Sequence, residues 1–311
     1  MGVWSFDRLA TYPSRVYPFP RVKVSVVTPS FRQLEWLQLC IASIADQQGV
    51  EVEHIVQDAG TPGFADFSKT MDWKWPNRPG YTRRMFLEPD EGMYDAVNRG
   101  LKKAGGEILA YLNCDEQYLP GTLAAVARWG VENPDPKVLF GDAIVVDDQG
   151  GYICSRRALV PSEPHTLTSG NLPIFTSSTF FRREIRDRGF LFDKKWRVVG
   201  DAVWALQLRR AGIPCRAVGK PFAVFTETGE NLSRPETARQ EQRKLLELAP
   251  AWARLLAPLI LLHYRMVRVW AGAYRRHTVR YSIYTQQSPG IRKEFGPFPS
   301  KALWPGREAA K

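Results

Sequence analysis

The chain has 311 residues, 44% of them hydrophobic, and a formal net charge of +11. That length and apolar content exclude a disordered chain and suit one large α/β domain with an appendage. The charge is uneven: residues 236–311 hold fourteen Lys or Arg against five Glu, so +9 of the +11 lies in the last quarter of the chain.

Residues 1–21 are aromatic, proline-bearing and irregular, and read as a packing arm. Asp7 and Arg8 interrupt the apolar run that an export signal needs, so the expected location is cytoplasmic and reducing. Cys40, Cys114, Cys154 and Cys215 are dispersed, without the spacing of a zinc site, and are expected as free thiols. Residues 22–28 (VKVSVVT) alternate and are β-branched, predicting a first strand. Beyond Pro29, Ser30 and Phe31, the spacing of Leu34, Leu37, Ile41 and Ile44 predicts an amphipathic helix. A second strand over residues 51–57 ends at Asp58, before the turn sequence AGTPG. On pattern alone Asp58 is equally a turn or capping residue and a ligand group. Residues 66–82 read as helix and loop, and residues 84–88 as a short strand.

The stretch 90–120 (DEGMYDAVNRGLKKAGGEILAYLNCDEQYLP) reads as loop, helix and buried strand. Tyr94, Val97, Leu101 and Ala104 recur at helical spacing over residues 92–104, and Gly105-Gly106 stops the helix. Asp95 and Asn98 share a face in its first turn, where free amides favour anions. Residues 107–113 (EILAYLN) form an apolar run of the kind covered on both faces of a parallel sheet. It empties into Asn113, Cys114, Asp115 and Glu116. Adjacent carboxylates at the carboxyl end of such a strand lie where open α/β sheets bind ligands, and hard oxygen donors suit Mg²⁺ or Mn²⁺. The pair taken alone reads first as a solvated acidic turn.

Further on, residues 122–129 look helical, and residues 138–146 and 152–155 form a hairpin through the turn DDQGG. His165 stands in a loop with no assigned partner. Asp201 opens a helix bearing Val203, Leu206 and Arg210, and on its own reads as a first-turn acid. Residues 216–225 read as a strand, and Asn231-Leu232-Ser233 is a sequon that a cytosolic protein does not use.

The central stretch resembles the family 2 glycosyltransferases of the GT-A fold, whose run DxGxYDAxNKGxxxAxGexxxxLNADD is matched at Asp90, Gly92, Tyr94, Asp95, Ala96, Asn98, Gly100, Ala104, Gly106, Glu107, Leu112, Asn113 and Asp115. Glu116 replaces the family's usual second aspartate. The resemblance covers residues 22–235. It implies an α/β, Rossmann-like, mostly parallel sheet flanked by helices, followed here by a helical basic extension over residues 236–311. It implies nucleotide-sugar contacts at Thr28, Pro29, Ser30, Phe31, Asp58, Asp90, Gly92, Asp95, Asn98, Asn113 and Asp115. Asp115 and Glu116 become the expected Mn²⁺ or Mg²⁺ ligands, and Asp201 the base that deprotonates the acceptor. AGTPGF replaces the usual GGSTDGT after Asp58, and Thr176-Ser177 replace His-Gln on the acceptor side. Ala211 stands where processive synthases have Trp, arguing against polymerisation.

The implied activity is inverting transfer of a sugar from a nucleotide diphosphate to a hydroxyl of a saccharide or lipid-linked acceptor, in cell-surface polysaccharide synthesis. The alternatives are a nucleotidyltransferase, which lacks its basic Gly-rich phosphate loop here, and a non-catalytic saccharide- or membrane-binding module. In residues 251–280 there are six Arg and no acid, interleaved with Trp252, Tyr264, Trp270 and Tyr274. This segment is either a helix packed on the domain or an interfacial helix on anionic lipid at the inner membrane face, and no apolar run is long enough to span a bilayer. No nucleic-acid motif accompanies it.

Overall fold

A computed structural model of the protein describes residues 22–170, 172–229 and 235–304. The arm read over residues 1–21 and the sequon lie outside these residues. The chain opens with β1 (Lys23–Ser30), α1 (Leu34–Ala45), β2 (Glu51–Asp58), α2 (Phe64–Lys74), β3 (Tyr81–Leu87), α3 (Met93–Lys103) and β4 (Ile108–Tyr111). It continues through β5 (Glu116–Tyr118), α4 (Thr122–Glu132), β6 (Val138–Asp147), β7 (Tyr152–Arg156), α5 (Glu163–Ser169), β8 (Thr179–Arg182) and α6 (Arg183–Asp187). Then come α7 (Gly200–Arg210), β9 (Cys215–Glu227), α8 (Pro235–Glu247), α9 (Ala251–Leu255), α10 (Ala257–Trp270), β10 (Thr278–Thr285) and β11 (Ser288–Pro299).

The large sheet has the order β3-β2-β1-β4-β8-β6-β9-β5, with β7 added along the second half of β6. β1 to β4 are parallel, as are β6 and β9, whereas β8 runs against both β4 and β6, and β5 against β9. The near-continuous apolar run of β1 has its cause in helices on both faces. Val27 packs with Val97 and Leu101 of α3 on one side, and Val24 and Val26 with Cys40 and Ile44 of α1 and Val126 of α4 on the other. This is the expected α/β architecture. β1 runs on through Pro29 to Ser30, carrying the first candidate contacts to the very end of the strand.

The extension differs from the expected helix over residues 251–280. The helix ends at Trp270, with Pro258 in its first turn, and the chain returns as the antiparallel hairpin β10–β11. Val279, Tyr281 and Ile283 alternate inward and bury against Ile144, Val146 and Val224, a period of two that a helix does not serve. The hairpin is locked to the domain. Gln117 and Tyr284 exchange hydrogen bonds at 2.8 Å in both directions, and the Arg292 guanidinium grips the Asp46 carboxylate while donating to the Tyr118 carbonyl at 3.0 Å. Leu245 and Ala249, in and just after α8, pack against Ala202 and Leu206 of α7. His165, expected in a loop, lies in α5, and its Nε2 is 2.8 Å from Nδ1 of His263 on α10. All four cysteines are free.

Candidate active site

The parallel register decides what meets at the ligand edge. Ser30 pairs with Asp58, and Val27 with Tyr111, so the loops after β1, β2 and β4 open side by side. Buried Asp58 organises the loop after β2: its Oδ1 accepts the N–H of Gly60 at 3.0 Å and of Thr61 at 2.7 Å, and its Oδ2 accepts the Thr61 hydroxyl at 2.8 Å. Thr61 Oγ1 in turn accepts the N–H of Arg32 at 2.7 Å. Arg32 has φ 56, a left-handed conformation that a non-glycine residue keeps only where its surroundings impose it. Its guanidinium carbon lies 4.9 Å from the Phe31 ring centre. The Thr28 hydroxyl is 2.9 Å from Nε2 of buried His54. Two buried polar atoms on the adjacent strand ends, Oγ of Ser30 and Oδ1 of Asn113, lack a protein partner among the described residues. A ligand hydrogen bond would relieve that desolvation cost of about 1–3 kcal/mol each.

Asp90 and Asp95 sit at the entry of α3, close enough to Asp58 for its charge to be felt at Asp90. Asp90 Oδ1 accepts the Gly92 N–H at 2.8 Å, and burial pushes its carboxyl up. Burial opposes ionisation of Asp95 too, yet the Glu91 N–H and the Arg99 guanidinium, 2.8 Å away, hold it below its ordinary range. Gly92 is required: at φ 123, a Cβ would meet Nη1 of Arg197 at 2.1 Å. Asn98 uses both ends of its amide on one residue, donating to the Phe192 carbonyl at 2.6 Å and accepting the Phe192 N–H at 3.0 Å. Phe192 stacks on Tyr94, with ring centres 5.5 Å apart, and meets Tyr111 edge-on at 5.1 Å.

Above this aromatic floor the acids converge. Burial pushes Asp115 up to about 6. Glu116, the buried first residue of β5, is pushed up to about 8 by burial and then by the charges of Asp115 and Asp201. The N–H of Asn113 donates to Glu116 Oε2 at 2.9 Å, and the Ser177 hydroxyl faces the same carboxyl. Thr176 bonds the Tyr111 phenol, so the Thr176-Ser177 pair that departs from His-Gln touches the acidic edge directly. Asp201 is in the first turn of α7, its N–H donating to the Tyr94 hydroxyl at 3.1 Å. Burial first, and then the Asp201 charge, push the phenols of both Tyr94 and Tyr111 up. Asp115 and Asp201 thus both act on Glu116, Asp95 and Asp58 both act on Asp90, and Tyr94 links α3 to the entry of α7.

Among the described residues no three His, Cys, Asp or Glu side chains are grouped to hold a metal by themselves. Asp115 and Glu116 supply two adjacent carboxylates whose charge burial opposes. That donor set fits Mg²⁺ or Mn²⁺, which take one or two protein carboxylates and complete their shell from substrate phosphates and water.

Sequence patterns did not single out Glu241. On α8, 7% exposed, it accepts the backbone N–H of Arg197 at 2.7 Å, Val198 at 2.8 Å and Val199 at 3.1 Å, the three residues that lead into α7. Arg197 reaches back to donate to the Glu91 carbonyl at the mouth of α3, and Tyr94 donates to the Val198 carbonyl at 3.3 Å. A single carboxylate in a charged helix carries no sequence signal of this role.

The profile of Glycosyl transferase family 2 matches residues 25–185. A PGL/p-HBAD biosynthesis glycosyltransferase of Mycobacterium bovis (strain BCG / Pasteur 1173P2) is 31% identical over 83% of this chain and 95% of its own length. A Mycobacterium tuberculosis (strain ATCC 25618 / H37Rv) protein described as an uncharacterized glycosyltransferase is 33% identical over 63% of this chain and 71% of its own. Among solved structures, S. aureus TarS 1–349 in complex with UDP shares the fold at TM-score 0.54 and 16% identity, over 81% of this chain and 75% of that one. The mannosyltransferase PcManGT from Pyrobaculum calidifontis, in complex with GDP-Man and Mn²⁺, shares it at TM-score 0.50 and 17% identity, over 86% and 84%. The matched segment takes in the strand ends after β1, β2 and β4, the entry of α3 and both carboxylates after β4, and the chain belongs to glycosyl transferase family 2.

Proposed function

We propose that the protein transfers a sugar from a nucleotide-diphosphate donor to a hydroxyl of a saccharide or lipid-linked acceptor, with inversion, in the assembly of a cell-surface glycan. The observation that carries this reading is that Asp201, on a separate helix, and Asp115 both act on the buried Glu116 carboxyl, with Asp201 and Glu116 both acting on Tyr111. The relative named for PGL/p-HBAD biosynthesis and the neighbours bound to UDP or GDP-Man support a nucleotide-sugar donor and a glycan product.

In this reading Ser30, Asn113 and the Asp58 turn receive the nucleotide with Thr28, Pro29 and Phe31, and Asp90, Gly92 and Asp95 border it at the entry of α3. Asn98 serves the site through the Phe192 backbone it holds. The Asp201 carboxylate takes the proton of the acceptor hydroxyl, and the freed oxygen pair attacks the anomeric carbon. The bond from that carbon to the diphosphate breaks on the opposite face, and its electrons leave with the nucleotide. A divalent cation held by Asp115 and Glu116 would supply neutralisation of charge on the departing diphosphate.

The extension supports attachment to anionic membrane. Trp252, Leu255, Leu259, Leu262, Met266 and Val269 are spaced three and four apart along α9 and α10, and all are exposed, Leu255 at 82%. Among the described residues no helix is long and apolar enough to cross a membrane, so this stripe suits lying along a surface. Six arginines without an acid in residues 251–280 would repel a second copy and attract anionic lipid.

Incubation with UDP-, GDP-, dTDP- and CDP-sugars, with and without Mn²⁺, tests the proposal, the product anomer being read by NMR. A retained anomeric configuration overturns the single displacement, and nucleotide binding indifferent to Mn²⁺ overturns the metal assignment.

A further inference from the structure

Beyond β11 the chain runs back along β7: the Lys301 carbonyl accepts the Ser155 N–H at 2.8 Å, and the Lys301 N–H donates to the Tyr152 hydroxyl at 2.9 Å. That course buries Trp304, 4% exposed, among Val145, Cys154, Phe175 and Phe225, with its Nε1 donating to Glu227 Oε2 at 3.1 Å. The indole stacks on Phe175 with ring centres 6.1 Å apart and meets Phe225 edge-on at 5.5 Å, while the two phenylalanines meet each other at 5.3 Å. Each phenylalanine leads to Glu116. Phe225 pairs with it directly, β9 against the first residue of β5. Phe175 opens the 3₁₀ turn Thr176–Ser178, its carbonyl accepting the Ser178 N–H at 3.1 Å and the Thr179 hydroxyl at 2.7 Å. Within that turn Thr176 bonds the Tyr111 phenol, and the Ser177 hydroxyl faces the Glu116 carboxyl. Packed rings prefer particular mutual angles, and a close-packed interior transmits a displacement rather than absorbing it.

We infer that Trp304 is a positioning residue for the transfer: through Phe175 and Phe225 it holds the Thr176–Ser178 turn and the Glu116 strand at one spacing, and so sets the acceptor side of the site. A phenylalanine at this position keeps a ring against both neighbours and loses the bond to Glu227, whereas an alanine leaves both neighbours unbraced. Ser30 and Asp58, at the ends of β1 and β2, take no part in these contacts, so the nucleotide end lies outside the reach of Trp304. The clamp itself is read from packing alone, and its bearing on turnover rests on the reaction proposed above.

Two measurements on the full chain test this, and only one needs turnover. Amide hydrogen exchange of Trp304→Ala is expected to quicken by about tenfold or more at residues 173–180 and 113–118, with residues 23–30 unchanged. Turnover of the nucleotide sugar that the parent uses is expected to fall by about tenfold or more at unchanged donor Kd, because misplaced groups slow the reaction without weakening a distant binding contact. Trp304→Phe is expected to restore most of both, and Trp73→Ala, at a tryptophan 83% exposed on α2, to alter neither. Trp304→Leu replaces the alanine variant if that one does not fold. Exchange unchanged at 173–180, or quickened equally at 23–30, overturns the clamp. Turnover unchanged despite faster exchange, or donor Kd weakened in step with it, overturns the positioning role. A parent that turns over no nucleotide sugar overturns the proposed reaction instead, and the exchange rates then decide the clamp alone.

Discussion

Both carboxylate oxygens of Glu241 are committed to backbone, and the Val198 N–H, three residues before Asp201, is one of their donors at 2.8 Å. A helix outside the matched family segment therefore holds the entry of the helix that carries the proposed base. Glu241→Gln replaces one acceptor oxygen with a donor facing N–H groups. It is expected to cost about 1–3 kcal/mol of stability and to lower kcat by about tenfold or more, with donor Kd unchanged. Denaturant unfolding and calorimetry separate the two effects. A parallel fall in donor affinity would show that the 197–199 segment serves the donor as well.

Asp201→Asn keeps size and the helix entry but removes the base. Transfer is expected to fall by about 100-fold or more, with donor binding near normal, because a base acts in the transition state. Equal loss of binding and turnover assigns Asp201 to the fold instead.

Asp115→Asn replaces a charged oxygen ligand with an amide, and is expected to abolish the Mn²⁺-dependent part of nucleotide diphosphate affinity. Isothermal titration with and without Mn²⁺ decides this, and an unchanged difference removes Asp115 from the metal site.

His54 gives a pH signature. Burial holds its imidazole well below the ordinary 6.5, so below that pH the unfolded chain takes up a proton that the fold refuses. Its contribution is intact above pH 6.5 and is lost as pH falls below it, at up to about 1.4 kcal/mol per pH unit. The raised Asp115 and Glu116 act in the opposite sense, since the fold binds their protons first. The measurement is therefore a difference: His54→Gln should be less acid-sensitive than the parent below pH 6.5. Parallel stability curves would remove His54 as the cause.

The membrane contact is best tested on the exposed stripe. Cutting the chain near Arg234 would also remove Glu241, Leu245 and the buried strand residues Tyr281 and Ile283, so loss of binding there would not separate surface from fold. Leu259→Glu with Leu262→Glu alters residues 63% and 53% exposed, and is expected to abolish sedimentation with anionic vesicles at unchanged thermal stability. Retained sedimentation leaves α10 a packing element.

Much of this was legible in the residues. The strands around Val24 to Val27 and Ile108 to Tyr111 announced themselves because both faces are covered, and α3 because Val97 and Leu101 repeat at the helical period. Family likeness, rather than pattern, is what proposes Asp201 as a base; pattern alone reads it as an ordinary first-turn acid. What escaped was long in range. The use of Asn98 on Phe192, 94 residues away, has no local signature. The alternation of Val279, Tyr281 and Ile283 was legible in principle, but the arginines and aromatics before it drew the reading toward a continuing helix.

The β10–β11 hairpin fixes when the molecule can finish folding. Arg292 and Asp46 are 246 residues apart, and Tyr284 and Gln117 are 167 apart, so the covering of α1 and β5 waits for the C-terminal strands to leave the ribosome. Until then Gln117 of β5 and the apolar residues Ile144, Val146 and Val224 lack the hairpin's cover, the kind of bare apolar surface on which growing chains associate. A messenger truncated before this hairpin would yield a chain with every proposed catalytic acid present and the apolar face of Ile144, Val146 and Val224 bare. Burial of this face therefore comes late in synthesis, long after β1 and β2 have been made.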